Sequence, residues 1–362
     1  MSRLKISILS FFLFSTGIIN AQVLSNDFLN IGVGARALGM SGAVVASTND
    51  VTSLYWNPAS LTGMTSPLSV GAMHAELFAG IAKYDFIGVT KQLNAEKNSA
   101  GGISLIRYGI DNIPNTLNLV NPDGSINYDN VYLFSASDYS FILSYAQQIK
   151  KGSPFSIGGN LKIINRHVGQ FATAWGFGLD AALLYQKNKW TFGATVRDLT
   201  TTFNAWSFNF TDKEKATLES TGNTIPENST EITKPTIIIG AAKSFNLGKD
   251  YTLTPEINAT FNTDGQRNVL VSSKAFNIDP RIGIEAGYKN FLFVRAGAGR
   301  FQRITNDLDA DKKTLTVQPT FGIGLKLGRF HLDYAQTNIG SQSGIQYSNI
   351  FSLQLDFGSR NN

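Results

Sequence analysis

Alternation with a period of two constrains this chain more than any other feature. In YTLTPEINATF, Tyr251, Leu253, Pro255, Ile257, Ala259 and Phe261 fall on one side, with Thr252, Thr254, Glu256, Asn258 and Thr260 on the other. WTFGATVR sets Trp190, Phe192, Ala194 and Val196 against Thr191, Gly193, Thr195 and Arg197. Successive side chains of a strand point to opposite faces, so each run has one apolar and one polar face. About fourteen runs show the pattern, over 66–78, 82–93, 99–108, 138–149, 154–166, 173–186, 190–197, 234–245, 251–262, 280–288, 291–301, 314–326, 329–338 and 347–357. Many are joined by short turn signals such as KNK, LGKD and LGR.

Uniform runs near ten residues, short turns alternating with longer connections, and an even total predict an all-β transmembrane fold, an antiparallel outer-membrane β-barrel. A soluble sandwich would need a second sheet to cover the aromatic face. The chain contains 34 Gly, 25 Phe, 12 Tyr and 4 Trp, and its mean hydropathy is near zero. The apolar faces suit lipid. The polar faces carry Lys162, Asp180, Arg197, Glu256, Arg281, Glu285, Arg295, Lys326 and Asp333, and charges in a closed lumen must be solvated or paired.

The barrel is expected over 66–358, with a short tail at 359–362. Three connections, 109–137, 198–233 and 302–313, interrupt the alternation and are expected as long extracellular loops. The second holds Trp206, Phe208 and Phe210, a candidate partner-binding loop, followed by a charged TDKEKATLES that reads as helical.

Residues 1–21 read as a signal peptide, with Arg3 and Lys5 before an apolar core and the small Ala21 at the cut. The predicted location is the outer membrane of a Gram-negative bacterium, with lipid as a partner. A formal charge of +5, two of it in the leader, gives no reason to expect nucleic acid. The chain has no cysteine, so no disulfide holds it together.

The stretch GVGARALGMSGAVVASTNDVTSLYWNPASL, Gly32 to Leu61, looks at first like a phosphate cradle. Gly32, Gly34 and Gly39 have the wrong spacing for a dinucleotide fingerprint, and no P-loop lysine follows. Asp307, Asp309 and Asp311 alternate as in a calcium loop, but Lys312 and Gln318 stand where that loop needs Gly and Glu. They are weak metal candidates beside the plainer reading of an acidic loop. His74, His167 and His331 have no ligand spacing; His331 shares a face with Arg329 and Asp333, which suits a lumen hydrogen-bond network. No nucleophile elbow is present. No enzyme activity and no cofactor are expected.

Extended to begin at Phe28, this stretch resembles the N-terminal signature of the PorV/PorQ family of outer-membrane proteins, relatives of the FadL fatty-acid transporters. The matching elements are Gly34-Ala35-Arg36, Leu38-Gly39-Met40, Gly42-Ala43, Asp50 and Asn57-Pro58-Ala59. LSYAQQI, IGGNLKII, GLDAALLY, FGATVRDL, GIEAGYKNFLFVRAGAG and FGIGLKLGRFHLDYA continue the resemblance along the chain. It implies fourteen strands and an N-terminal hatch, 22–65, folded into the lumen. Small residues would let that segment run close to the wall. Arg36 and Asp50 become candidates to pair with lumen charges such as Glu256, Glu285 or Arg295. Pro58 would turn the chain out towards the first strand at Ser66.

The resemblance further implies service in the type IX secretion system of Bacteroidota. The partners would be secretion-system subunits and the C-terminal signal domain of exported cargo, delivered to the surface attachment machinery. The alternative is a FadL-like transporter of hydrophobic small molecules, gated by the hatch. An apolar cavity meeting the hatch favours transport; a lumen filled by the hatch and its ion pairs favours protein binding.

Overall fold

The computed structural model describes residues 25–121, 123–306, 309–338 and 348–358, and the side chains of all but 304–313 among them. The expected leader, the tail at 359–362 and Asp307 lie outside the described residues, as do the side chains of Asp309 and Asp311. The strands form one closed antiparallel barrel of fourteen staves. In chain order they are β1 (Leu68–Leu77), β2 (Ala82–Asn94), β3 (Ser99–Asn115), β4 (Tyr132–Gln148), β5 (Phe155–Val168) and β6 (Ala172–Lys187). Next come β7 (Trp190–Arg197 and Thr202–Phe208), β8 (Ser229–Thr233, Thr236–Lys243 and Phe245–Leu247), β9 (Tyr251–Asn262) and β10 (Asn277–Tyr288). The last four are β11 (Leu292–Asn306), β12 (Asp309–Leu327), β13 (Phe330–Thr337) and β14 (Ser348–Phe357). β14 pairs back onto β1, with Leu68 opposite Phe357 and Glu76 opposite Asn349. Closure satisfies the edge that an open sheet would leave.

The outer face is apolar. Ile87, Ile103, Phe141, Leu143, Phe192, Ile257, Phe321 and Leu353 are all exposed on it, a band stable against lipid and costly in water. The inner face carries polar side chains that the hatch buries: Ser104, Ser144, Asn160, Lys162, Glu256, Asn258 and Arg295 are buried. The apolar core lies inside the barrel, where Met40, Val44, Leu54 and Trp56 of the N-terminal segment meet Tyr84, Phe86, Ile106, Ile142 and Ile164 of the wall.

Two neighbouring staves are broken. β7 leaves the ladder between Arg197 and Thr202, with Asp198 and Thr201 at φ 54° and 65°. β8 breaks at Lys234-Pro235, where proline has no N–H to give the ladder. Beside the first break, buried Lys162 donates to Asp180 at 2.8 Å and to Asp198 at 2.5 Å, and the Asp198 amide donates to Asp180 at 2.9 Å. The polar constellation replaces the ladder bonds that the break removes.

The strands run further than their alternation. The loop expected over 109–137 shrinks to 116–131, because β3 continues to Asn115 and β4 begins at Tyr132. The one expected over 198–233 holds half of β7, the first piece of β8 and helix α3 (Asp212–Ser220), once α1 (Ala35–Gly39) and α2 (Ser53–Trp56) are counted in the N-terminal segment. A capping box starts α3: the Glu214 amide donates to Thr211 Oγ1 at 3.3 Å, and the Thr211 amide to Glu214 at 2.8 Å. The region 302–313 is largely ladder, with Gln302 opposite Thr316 and Thr305 opposite Lys313. Over 110–115 and 302–306 the residues carry no apolar period, while the backbone pairing continues.

Candidate functional site: the hatch and the lumen around it

Residues 25–67 thread the lumen in short helical turns. Gly34, at φ 89°, turns the chain into α1, and the next amide, Ala35, donates to Ser352 Oγ at 2.8 Å. Arg36 then reaches across to β10. Its Nε and Nη2 donate to the two oxygens of Glu285 at 2.8 and 3.1 Å, and Asp50 stands 3.7 Å from its Nη1. Glu285 also accepts from Arg295 Nε at 2.6 Å, and Arg295 Nη1 donates to Asp333 at 2.5 Å. One chain of charges therefore ties the hatch to β10, β11 and β13. Of the three expected partners, Glu285 takes Arg36, and Arg295 is bound through it. Glu256 does something else: it accepts the amides of Ala46 and Ser47 at 2.8 and 2.9 Å.

Asp50 turns inward on its own segment, its Oδ1 accepting the Thr52 amide at 2.8 Å at the start of α2. Gly39 lies against Gly322 of β12, so a Cβ there would sit 3.0 Å from the Gly322 Cα. Gly42, at φ 75°, gives its carbonyl to Asn258 Nδ2 at 3.3 Å. The Asn57-Pro58-Ala59 turn is fully buried. Asn57 Oδ1 accepts the Ala59 amide at 3.0 Å, and its Nδ2 donates to Val45 O at 2.8 Å and Leu183 O at 3.4 Å. Pro58 opens a 3-10 turn over Pro58–Gly63, and the first strand follows at Leu68, two residues beyond the expected Ser66. Asn57→Asp keeps the shape and replaces the donor with a carboxylate facing two carbonyl oxygens. It should cost hatch docking about 3 kcal/mol or more, as an unpaired buried charge does. Hydrogen exchange of the hatch amides measures it; wild-type protection in the variant would refute the role given to Asn57.

A cavity of about 300 Å³ lies between the hatch and the wall at the end that carries both barrel termini. Arg36, Asp50, Glu285, Arg295, His331 and Asp356 line it beside Met73, Phe86, Phe293 and Leu353, so its lining is mixed. His331 Nε2 lies 3.0 Å from Asp356, an inward pair that extends the lumen network. Among the described residues no three of His, Asp and Glu gather as metal ligands.

On the opposite side of the hatch the wall is aromatic. Trp206, Phe208 and Phe210 alternate with outward Ala205 and Ser207, and so face the interior rather than standing out on a loop. That corrects their expected setting: the first two lie in β7, where pairing with β6 and β8 fixes them. Their rings stack at 6.0 and 6.3 Å, Phe210 continues onto Phe171 at 5.7 Å, and Phe171 onto Phe134 at 5.3 Å. The next inward residue below Trp206 is Asn204, whose Nδ2 donates to Ser25 Oγ at 2.6 Å and Asn26 Oδ1 at 2.9 Å. The ladder therefore descends to the start of the hatch. The sequence names its members on β7, but Phe134 and Phe171 come from distant segments and carry no local sign of joining it.

A closed fourteen-stave barrel with an N-terminal segment filling its lumen is a specific architecture. The fold is FadL-like. Across 90% of this chain and 99% of the other, it superposes on the toluene transporter TbuX of Ralstonia pickettii, with a TM-score of 0.52 at 13% identity. The toluene transporter TodX of P. putida gives 0.55 at 13% identity, covering 91% of this chain and 99% of that one. A Pseudomonas aeruginosa FadL homologue gives 0.51 at 11% identity, covering 90% and 98%. The chain matches no protein-family profile and no curated protein sequence. Identities this low establish a shared fold.

Proposed function

We propose that the protein is a FadL-like outer-membrane channel for small hydrophobic molecules, admitted along the aromatic ladder and gated by the hatch. The ladder carries this reading. Five rings lead from the loop end to the first residues of the hatch, and offset or edge-on ring contacts stabilise aromatic or apolar guests by about 0.5–1.5 kcal/mol each. The short turns and both barrel termini belong at the periplasmic end, and the longer connections with α3 at the cell surface. The structural neighbours that are toluene transporters point the same way.

The lumen sets a condition on this reading. The cavities beside the hatch have mixed polar and apolar linings, and the ion pairs around Arg36 hold the hatch against the wall, so passage requires the hatch to shift. The same observation favours a second reading, the secretion-system role implied by the PorV/PorQ resemblance, in which a permanently plugged barrel presents a binding surface for exported cargo.

Uptake of radiolabelled toluene by cells with and without the protein separates the two. The channel reading expects uptake to fall about tenfold or more without the protein, and by a smaller, several-fold factor in Trp206→Ala/Phe208→Ala, which removes two rings. Unchanged uptake in the null strain, together with loss of surface-exported proteins and recovery of secretion subunits on native pull-down, would leave the second reading in its place.

A further inference from the structure

Above the hatch, towards the loop end, a small cavity of about 70 Å³ lies between the N-terminal segment and the wall of β7–β10. Neither the ladder nor the hatch anchors account for it. Arg197, Arg267 and Arg281 line it, with Asp279 as the one carboxylate among its lining residues. Arg267 is paired with Asp264. Arg197 has no carboxylate partner among the described residues; it donates to Tyr55 Oη at 2.9 Å and stacks over the Tyr55 ring at 4.1 Å. Arg281 reaches Asp279 only at 3.4 Å, and its Nε is buried with no acceptor. Asp279 Oδ1 is buried with no donor. The neighbouring Lys162, Asp180 and Asp198 bond to one another and leave one net negative charge, but neither carboxylate forms an ion pair with Arg197.

The cavity thus offers guanidinium donors in excess and one lone carboxylate oxygen that needs a proton donor. Guanidinium forks match oxyanions. A carboxylate or sulfate would satisfy the arginines and set its own charge against Asp279. A phosphate that keeps one proton satisfies both, its oxygens accepting from Arg197 and Arg281 and its hydroxyl donating to Asp279. We propose that this cavity binds a phosphate group, either as free inorganic phosphate or as the headgroup of a phosphomonoester. The site stands apart from the transport reading, since a neutral hydrocarbon has no use for it.

Titration calorimetry on the whole purified barrel in phosphate-free buffer tests it, with inorganic phosphate, glycerol phosphate and sulfate as probes. Phosphate should bind saturably and at least about tenfold more tightly than sulfate, the difference expected for one charge-assisted hydrogen bond. Binding of glycerol phosphate as well identifies an ester headgroup; binding of inorganic phosphate alone identifies the free ion. Arg281→Gln should weaken phosphate about tenfold or more. Asp279→Asn, which offers an amide donor, should erase the preference over sulfate. Thr260→Asp leaves every arginine in place, adds a negative charge to the lining, and should abolish binding in a barrel whose heat-modifiable gel mobility is unchanged. No saturable phosphate binding, or equal affinity for sulfate in the wild type, overturns the proposal.

Discussion

Gly158→Val is expected to detach the hatch from the wall while leaving the barrel closed. Gly158 faces inward on β5, and a Cβ there would lie 2.5 Å from the Ala59 backbone nitrogen and 2.7 Å from the Pro58 carbonyl carbon. Both obstacles are backbone, so no side-chain rotation relieves them. Gly193 and Gly297 meet the backbones of Val45 and Met40 in the same way, so the wall is shaped to the hatch at several points. Overpacking a core usually costs about 1–3 kcal/mol, and an overlap without a soft partner belongs at or above the top of that range. Valine is a good strand former, so the strand itself gains and the cost falls on docking. Limited proteolysis should cut the hatch of the variant while heat-modifiable mobility reports an intact barrel. Gly159→Val is the control: its Cβ points outward, and the nearest atom is Asp180 O at 3.1 Å. If both variants resist protease as the wild type does, the hatch is not held by close backbone approach.

Much of this architecture is legible in the residues. WTFGATVR becomes the first half of β7 and the run 251–262 becomes β9, both with the expected bounds, because a half-buried strand repeats with a period that nothing else imitates. The small residues from Gly34 to Ala59 announce close packing for the same reason. What the residues leave open is partner choice. Arg36 could face any inward acid, and only the register that sets Glu285 opposite Arg295 puts both oxygens in reach. Glu256 is harder still: its partners are backbone amides of Ala46 and Ser47, which leave no mark in the side-chain sequence. The ladder at Gln302 to Asn306 is hidden because QRITN carries no apolar period, and a bulge between Gly299 and Gln302 breaks what alternation remains.

Removing the carboxylate at the centre of the charge chain should have the second large effect. Glu285→Ala leaves Arg36 and Arg295, which both donate to it, facing each other in a lumen where Arg295 is buried. Deleting one partner of a buried network costs about 3–5 kcal/mol, because the remaining charge is left uncompensated. The loss should concentrate on the hatch: Arg295 keeps Asp333 at 2.5 Å, whereas Arg36 keeps only the Ser47 carbonyl at 3.4 Å and, as its one remaining carboxylate, Asp50 at 3.7 Å. Arg36→Met alone should cost less, since Glu285 retains Arg295. Arg36→Met combined with Glu285→Ala removes both charges of the pair, and should cost less than the sum of these two single changes, the signature of direct coupling. Hydrogen exchange over Ala35–Gly39 reads each step, and single-channel conductance in planar bilayers reads the consequence. With Glu285→Ala the cavity on the terminal side should open intermittently past α1 and give current steps absent from the wild type. Additive costs in the double variant, or a silent Glu285→Ala barrel with full protection of α1, would show that shape alone holds the hatch and that the charge chain merely fills the space beside it.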